Sequence, residues 1–141
     1  MRMLDVNILV YAHREESPEH LRYANWLTEL ADGPEPFALS QPAMEGFVRV
    51  VTNPKIFKPP SSTSAAFEFL EALLALPHCS VMRPGAQHWN IFKELCARPG
   101  IRGMLVPDAA HAALAIETGC EWVTSDTDFA RFTPPLRWRH L

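Results

Sequence analysis

Short apolar runs alternating with longer amphipathic segments constrain this chain more than any other feature. Met1–Leu4, Phe37–Leu39, Cys79–Met82 and Glu121–Thr124 each read as a short buried strand, and Leu136–Trp138 as a last edge strand. Between them, apolar residues recur at helical spacing. A first helix follows at Asn7–Ala12. Leu21, Ala24, Trp26, Leu27, Leu30 and Ala31 mark a second, opened near Pro18 and closed by Asp32-Gly33-Pro34. Ser40-Gln41-Pro42 opens a third, whose core face is Met44, Phe47, Val48 and Val51. Ala65–Leu76 forms a fourth with Phe67, Leu70, Leu73 and Leu74 inward, and Trp89–Cys96 a fifth. Ala109–Thr118 is a sixth, closed by Gly119 at the C-cap position. Strands separated by helices predict an α/β fold. Its mainly parallel central sheet of four to five short strands is flanked by helices. The 141 residues suit one domain spanning 1–141, with no internal repeat.

Composition narrows the function classes. Hydrophobic residues make up 48% and charged residues 21%, the mix of an ordinary folded domain. No apolar stretch reaches the ~18 residues of a membrane span. The first apolar run carries Asp5 and no small-residue cleavage site follows, so a cytoplasmic protein without a secretory leader is expected. Cys79, Cys96 and Cys120 are odd in number and widely spaced. They fit neither a zinc pattern nor a disulfide framework, and are expected as reduced, mostly buried thiols. The net charge of −3 announces no nucleic-acid partner and leaves that role to a local basic patch.

The acidic residues beside the apolar runs all fall at junctions of one type. Asp5 ends the first run, where an ionised carboxylate is costly unless compensated. Glu45 sits in the first turns of the third helix, one residue off its core face. Asp108 opens the Ala-rich helix. Asp126 follows the run Glu121–Thr124, with Asp128 two residues on. Each has a local explanation. Asp5 or Asn7 caps a helix, as does Asp108, and Asp128 caps the turn Phe129–Phe132. Glu45 pairs with Arg49 for ~0.3–0.5 kcal/mol. Asp126 alone has no obvious local role. His111, one turn beyond Asp108, is expected to be structural, and His20 to lie on the surface.

Separate caps leave the shared placement unexplained. Ligands of open α/β sheets bind beyond the carboxyl ends of the strands, and Asp5, Glu45, Asp108 and Asp126 are all expected at that edge. Converging carboxylates repel one another unless a cation compensates them. Oxygen-only donors suit Mg²⁺ or Mn²⁺ rather than zinc. The chemistry that follows is metal-assisted hydrolysis of a phosphoester.

Four segments, in order, carry a family resemblance: Leu4-Asp5-Val6-Asn7-Ile8-Leu9-Val10-Tyr11-Ala12, Glu45-Gly46-Phe47-Val48-Arg49-Val50-Val51-Thr52-Asn53-Pro54, Val106-Pro107-Asp108-Ala109-Ala110-His111 and Val123-Thr124-Ser125-Asp126-Thr127-Asp128-Phe129. The chain resembles the PIN-domain nucleases, in particular the small free-standing VapC toxins of toxin–antitoxin modules. The resemblance implies a Mg²⁺- or Mn²⁺-dependent endoribonuclease acting on structured RNA such as tRNA or rRNA. Asp5, Glu45, Asp108 and Asp126 match the family's acidic quartet and Asp128 an additional acidic position. Asn7 and Thr124 match polar residues that orient the ligands or the bound water. It also implies a homodimer silenced by a cognate antitoxin whose tail enters the acidic cleft. In a slightly acidic chain, RNA must be held by local cations, for which Arg49, Lys55, Arg98, Arg102 and Arg131 are candidates.

Two other readings compete. A haloacid-dehalogenase-like phosphatase also begins with an Asp after its first strand, but requires a second Asp where this chain has Asn7. A non-catalytic PIN-like binding module is expected to have lost acidic residues that are all retained here.

Overall fold

Strand β1 (Arg2–Leu4) lies at the centre of the sheet, paired in parallel with β2 (Phe37–Ser40) on one side and β4 (Glu121–Thr124) on the other. In the computed structural model, which describes residues 1–141, β3 (Cys79–Met82) and β5 (Trp138–His140) extend it to the order β3-β2-β1-β4-β5. Every pair is parallel. The six α-helices are α1 (Val6–His13), α2 (His20–Asp32), α3 (Gln41–Val51), α4 (Thr63–Leu74), α5 (His88–Cys96) and α6 (Leu105–Thr118); a 3₁₀ turn spans Thr127–Phe132. The expected α/β architecture is therefore present, with strands β3 and β4 at the anticipated bounds. The edge strand lies two residues later than its apolar signal.

The period-2 alternation of the strands divides the core into two layers. Leu4, Phe37, Leu39 and Val123 pack on one face with residues of α1 to α4. Met3, Ala38 and Trp122 pack on the other with α5, α6 and the 3₁₀ turn. Because both faces are covered, the central strands read as continuous apolar runs. The alanines of α6 do what their size suggests: Ala109, Ala112, Ala113 and Ala115 are all fully buried. Gly119 ends α6 in the left-handed region, at φ +69°, and its N–H returns to Ala115 and Ile116. The three cysteines are free thiols, of which only Cys120 is buried. No helix is long and apolar enough to cross a membrane.

Two helix faces differ from expectation. Phe67, placed inward by the periodicity of α4, is 51% exposed. On α3 the buried residues are Ala43, Phe47 and Val51, whereas Met44 and Val48 are half-buried. The α3 and α4 stripes are wider than their contact, and the surplus lines a groove between the two helices. His20 is half-buried rather than on the surface, with Nδ1 2.7 Å from the Tyr11 carbonyl.

Helices α1 and α3 approach closely at Gly46. A Cβ there would stand 3.0 Å from Cγ2 of Val6, next to Asp5. Leu at this position is expected to overpack the contact and cost about 1–3 kcal/mol. Ala is expected to be near neutral, because its helix-propensity gain of up to ~1 kcal/mol offsets the tight contact. Denaturant melts of Gly46→Leu and Gly46→Ala check this; equal stability of the two would show that the contact is not limiting.

Candidate active site

Asp5 sits where β1 becomes α1. Its backbone N–H donates to the Val123 carbonyl of β4, and its Oδ1 accepts from the Val6 N–H at 2.6 Å. Oδ2 accepts from the Thr124 hydroxyl at 2.5 Å. The side chain is thus the N-cap of α1 and also the floor of a cleft, 6% exposed. Thr124, at the end of the neighbouring strand and fully buried, organises the junction. Its oxygen also accepts from Asn7 Nδ2 at 3.2 Å and from the Asp126 N–H at 3.0 Å. Asn7 in turn accepts from the Ser125 N–H through Oδ1, at 3.3 Å. Adjacent parallel strands end side by side, so residues 119 apart in the chain meet here.

Asp108 enters from α6, and its local explanation does not hold. The helix begins at Leu105, with no side-chain capping bond at Met104. Asp108 is therefore the fourth helical residue and not the cap. Pro107 is tolerated so early because first-turn N–H groups have no intrahelical acceptor. Asp126 and Asp128 exchange their expected roles. It is Asp126 that caps the 3₁₀ turn, accepting from the Asp128 N–H at 2.8 Å. Asp128 lies inside the turn, exposed, 3.4 Å from Arg131 Nε.

Electrostatics shows which carboxylates meet. Burial raises Asp5 to about 7 against the lowering hydrogen bonds from Thr124 and Val6, and the charges of Asp108 and Asp126 raise it further. Burial also raises Asp108 to about 6, with Asp126 and then Asp128 as further causes. Asp5, Asp108 and Asp126 line one cleft of about 440 Å³ with Asn7, Arg49 and His111. Its upper walls are apolar, including Tyr11, Ile56, Phe57 and Met104. Sequence periodicity had no means of finding these wall residues, since they come from loops and helix ends.

Glu45 is not in this cleft. It is exposed, accepts from Gln41 Nε2 at 2.9 Å, and lines the neighbouring apolar groove between α3 and α4. Arg49, one turn further along α3, lines both. Of the candidate RNA-binding cations, Arg49 is the one that faces the acidic cleft. Arg98 donates to the carbonyls of Arg131 and Pro134, Arg131 faces Asp128, and Lys55 and Arg102 are exposed on loops. No three His, Cys, Asp or Glu side chains converge closely enough to enclose a metal ion among themselves.

The geometry can be set beside known proteins. The PIN domain model matches residues 2–133. The chain is 43% identical over 140 residues to ribonuclease VapC43 of Mycobacterium tuberculosis, covering 99% of this chain and 95% of that protein. It is 39% identical over 132 residues to ribonuclease VapC25 of the same organism, covering 94% and 93%. Among solved structures, VapBC2 from Rickettsia felis, bound to a DNA fragment from its promoter, superposes with a TM-score of 0.71. The identity is 23%, with 99% of this chain and 97% of that chain covered. The M. tuberculosis sarcin–ricin loop cleaving toxin VapC20 superposes with a TM-score of 0.67 at 14% identity, covering 92% and 93%. With a family model spanning nearly its whole length and relatives of matching size, the chain belongs to the PIN-domain family and, within it, to the VapC ribonucleases.

Proposed function

We propose that this protein is a Mg²⁺- or Mn²⁺-dependent endoribonuclease that hydrolyses phosphodiester bonds of structured RNA such as tRNA or rRNA, as the toxin of a type II toxin–antitoxin pair. The observation that carries the reading is the mutual crowding of Asp5, Asp108 and Asp126 in one cleft at the carboxyl ends of β1 and β4. The partner assignments follow from likeness to VapC ribonucleases and to structures of toxin–antitoxin complexes. They are a cognate antitoxin and a homodimeric toxin.

The donor set fits a hard divalent cation. It consists of carboxylate oxygens alone, and the proton affinities of Asp5 and Asp108 are raised first by burial and then by the neighbouring carboxylates, both of which a bound cation would offset. Mg²⁺ is commonly held by one or two carboxylates with waters and substrate phosphates completing its shell, which suits a cleft that does not enclose an ion by itself. Asp5, Asp108 and Asp126 would hold it. Glu45, in the neighbouring groove, and Asp128, exposed in the 3₁₀ turn, stand outside this set of ligands. When bound, the cation would supply charge neutralisation at the phosphodiester and activation of the attacking water. Thr124 and the Val6 N–H fix the Asp5 carboxylate in place, and Asn7 braces Thr124. Asp108, which accepts no hydrogen bond from the protein, faces the cleft free to contact solvent or substrate. Arg49 supplies positive charge for an RNA phosphate at the rim.

Asp108→Asn and Asp126→Asn are each expected to lower cleavage of a mixed tRNA and rRNA pool in Mg²⁺ or Mn²⁺ at least 100-fold, as does EDTA on the unaltered protein. Equal cutting by wild type and Asp108→Asn would defeat the reading. Arg49→Ala is expected to weaken RNA binding and to reduce the salt dependence by about one phosphate contact. Arg98→Ala, which removes ties to backbone carbonyls, is expected to lower the melting temperature instead.

The raised carboxyls also predict a pH dependence of the metal-free fold. Unfolded, Asp5 and Asp108 ionise near their ordinary 3.8. Folded, they hold their protons to about 7 and about 6. Between these limits the native state binds more protons, so stability falls as pH rises and levels above 7. In EDTA, unfolding free energy is expected to drop by on the order of 2–4 kcal/mol from pH 5 to 7.5. Asp5→Asn should remove most of the slope, and Mn²⁺ should restore stability to wild type at pH 7.5. A flat wild-type profile in urea titrations would contradict the crowding.

A further inference from the structure

His111 lines the acidic cleft together with Asp5, Asp108 and Asp126, three residues after Asp108 and so on the same side of α6. Its ring is fixed. It stacks on Trp122 with centroids 5.3 Å apart and planes 22° apart. Trp122 is fully buried and is itself held against Phe129, with centroids 5.5 Å apart. The two ring nitrogens differ. Nδ1 is buried with no hydrogen-bond partner, whereas Nε2 is the nitrogen left to the cleft. A proton on Nδ1 would be a buried N–H without an acceptor, which costs about 1–3 kcal/mol. The proton therefore belongs on Nε2. Burial, and secondarily the charge of His88, lowers the ring's pKa to about 4, so the imidazole is neutral in the physiological range. The cleft thus carries one neutral N–H donor, rigidly aimed, that no protein group accepts.

We infer that His111 donates a hydrogen bond from Nε2 to a non-bridging phosphate oxygen of the RNA in the cleft and so holds the substrate against Asp108 and Asp126. This rests on the nuclease reading above. The choice of a neutral donor has a physical reason. A Lys or Arg at this position would pair with the carboxylates and displace the divalent cation they would hold. A neutral imidazole can bind a phosphate oxygen without competing for them. It is also a poor ligand for a hard cation that prefers oxygen, so substrate contact is the role left to it.

The test is single-turnover cleavage of a mixed tRNA and rRNA pool in saturating Mn²⁺ by wild type, His111→Phe, His111→Gln and His111→Asn, with Asp126→Asn as the inactive control. Melting curves with and without Mn²⁺ are recorded on each. Phe preserves the stack on Trp122 and removes the donor; it should lose about 10- to 100-fold. Gln places an amide N–H near the position of Nε2 and should return to within a few fold of wild type. Asn places its amide near Nδ1 and should stay as low as Phe. All three should keep the Mn²⁺-induced rise in melting temperature. Cleavage by Phe within twofold of wild type overturns the inference. So does a Gln variant as inactive as Asn while folded, which would assign the ring to packing. So does loss of the Mn²⁺ shift, which would make His111 a metal ligand. If Phe does not fold, the comparison of Gln with Asn decides alone. Wild-type cutting no greater than that of Asp126→Asn would instead remove the nuclease reading, and this inference with it.

Discussion

The hydroxyl of Thr124 is the point on which the site depends. It donates to Asp5 and accepts from Asn7 and from the backbone of Asp126, so one buried oxygen joins the end of β1, the start of α1 and the turn after β4. Loss of the bond to Asp5 would leave a buried carboxyl with one fewer partner. Parallel pairing makes this possible. Strands running in the same direction end at the same edge, and the residues just past their ends come from distant parts of the sequence yet meet without any long loop. The fold places the chemistry at that edge because it is the one place where several chain segments leave the sheet together.

The same arrangement sets function against stability. Asp5 is buried, and two further carboxylates raise the cost of ionising it. A fold optimised for stability alone would place Asn or an apolar residue there. The carboxyl stands in a setting where burial disfavours its charged form; under the proposed function a bound cation would offset that cost and so couple occupancy of the site to the firmness of the β1–β4 edge. Loss of stability at a working site is the usual cost of preorganised charge.

Much of this was legible in the sequence. Strands β3 and β4, the C-cap at Gly119 and the small-residue face of α6 follow from apolar runs, turn chemistry and side-chain size. Other features were hidden for identifiable reasons. An Asp after a Pro and before an Ala-rich helix looks like a cap, yet α6 starts at Leu105 because first-turn positions tolerate proline. Asp126 and Asp128 are two residues apart in a 3₁₀ turn, and which one caps depends on where β4 ends. Phe67 shows that periodicity gives the direction of an apolar stripe but not the breadth of the neighbour that covers it. His111 both stacks on the buried Trp122 and lines the cleft, whereas a sequence shows only its helix face.

The geometry also separates the competing chemistries. A phosphatase that forms a phospho-aspartate needs an acid–base carboxyl two residues after its nucleophile. The residue two positions later would have to shuttle a proton, whereas Asn7 spends its amide on Thr124 and its carbonyl on Ser125. A binding module would gain nothing from three carboxylates that destabilise one another, and it would be more stable with any of them neutralised. Retained repulsion at a floor braced by neutral hydrogen bonds is what a site needs if its missing charge arrives with a cation and a phosphate. Asp5, Asp108 and Asp126 meet that description, and a neutral His111 beside them leaves the charge balance to the ligand.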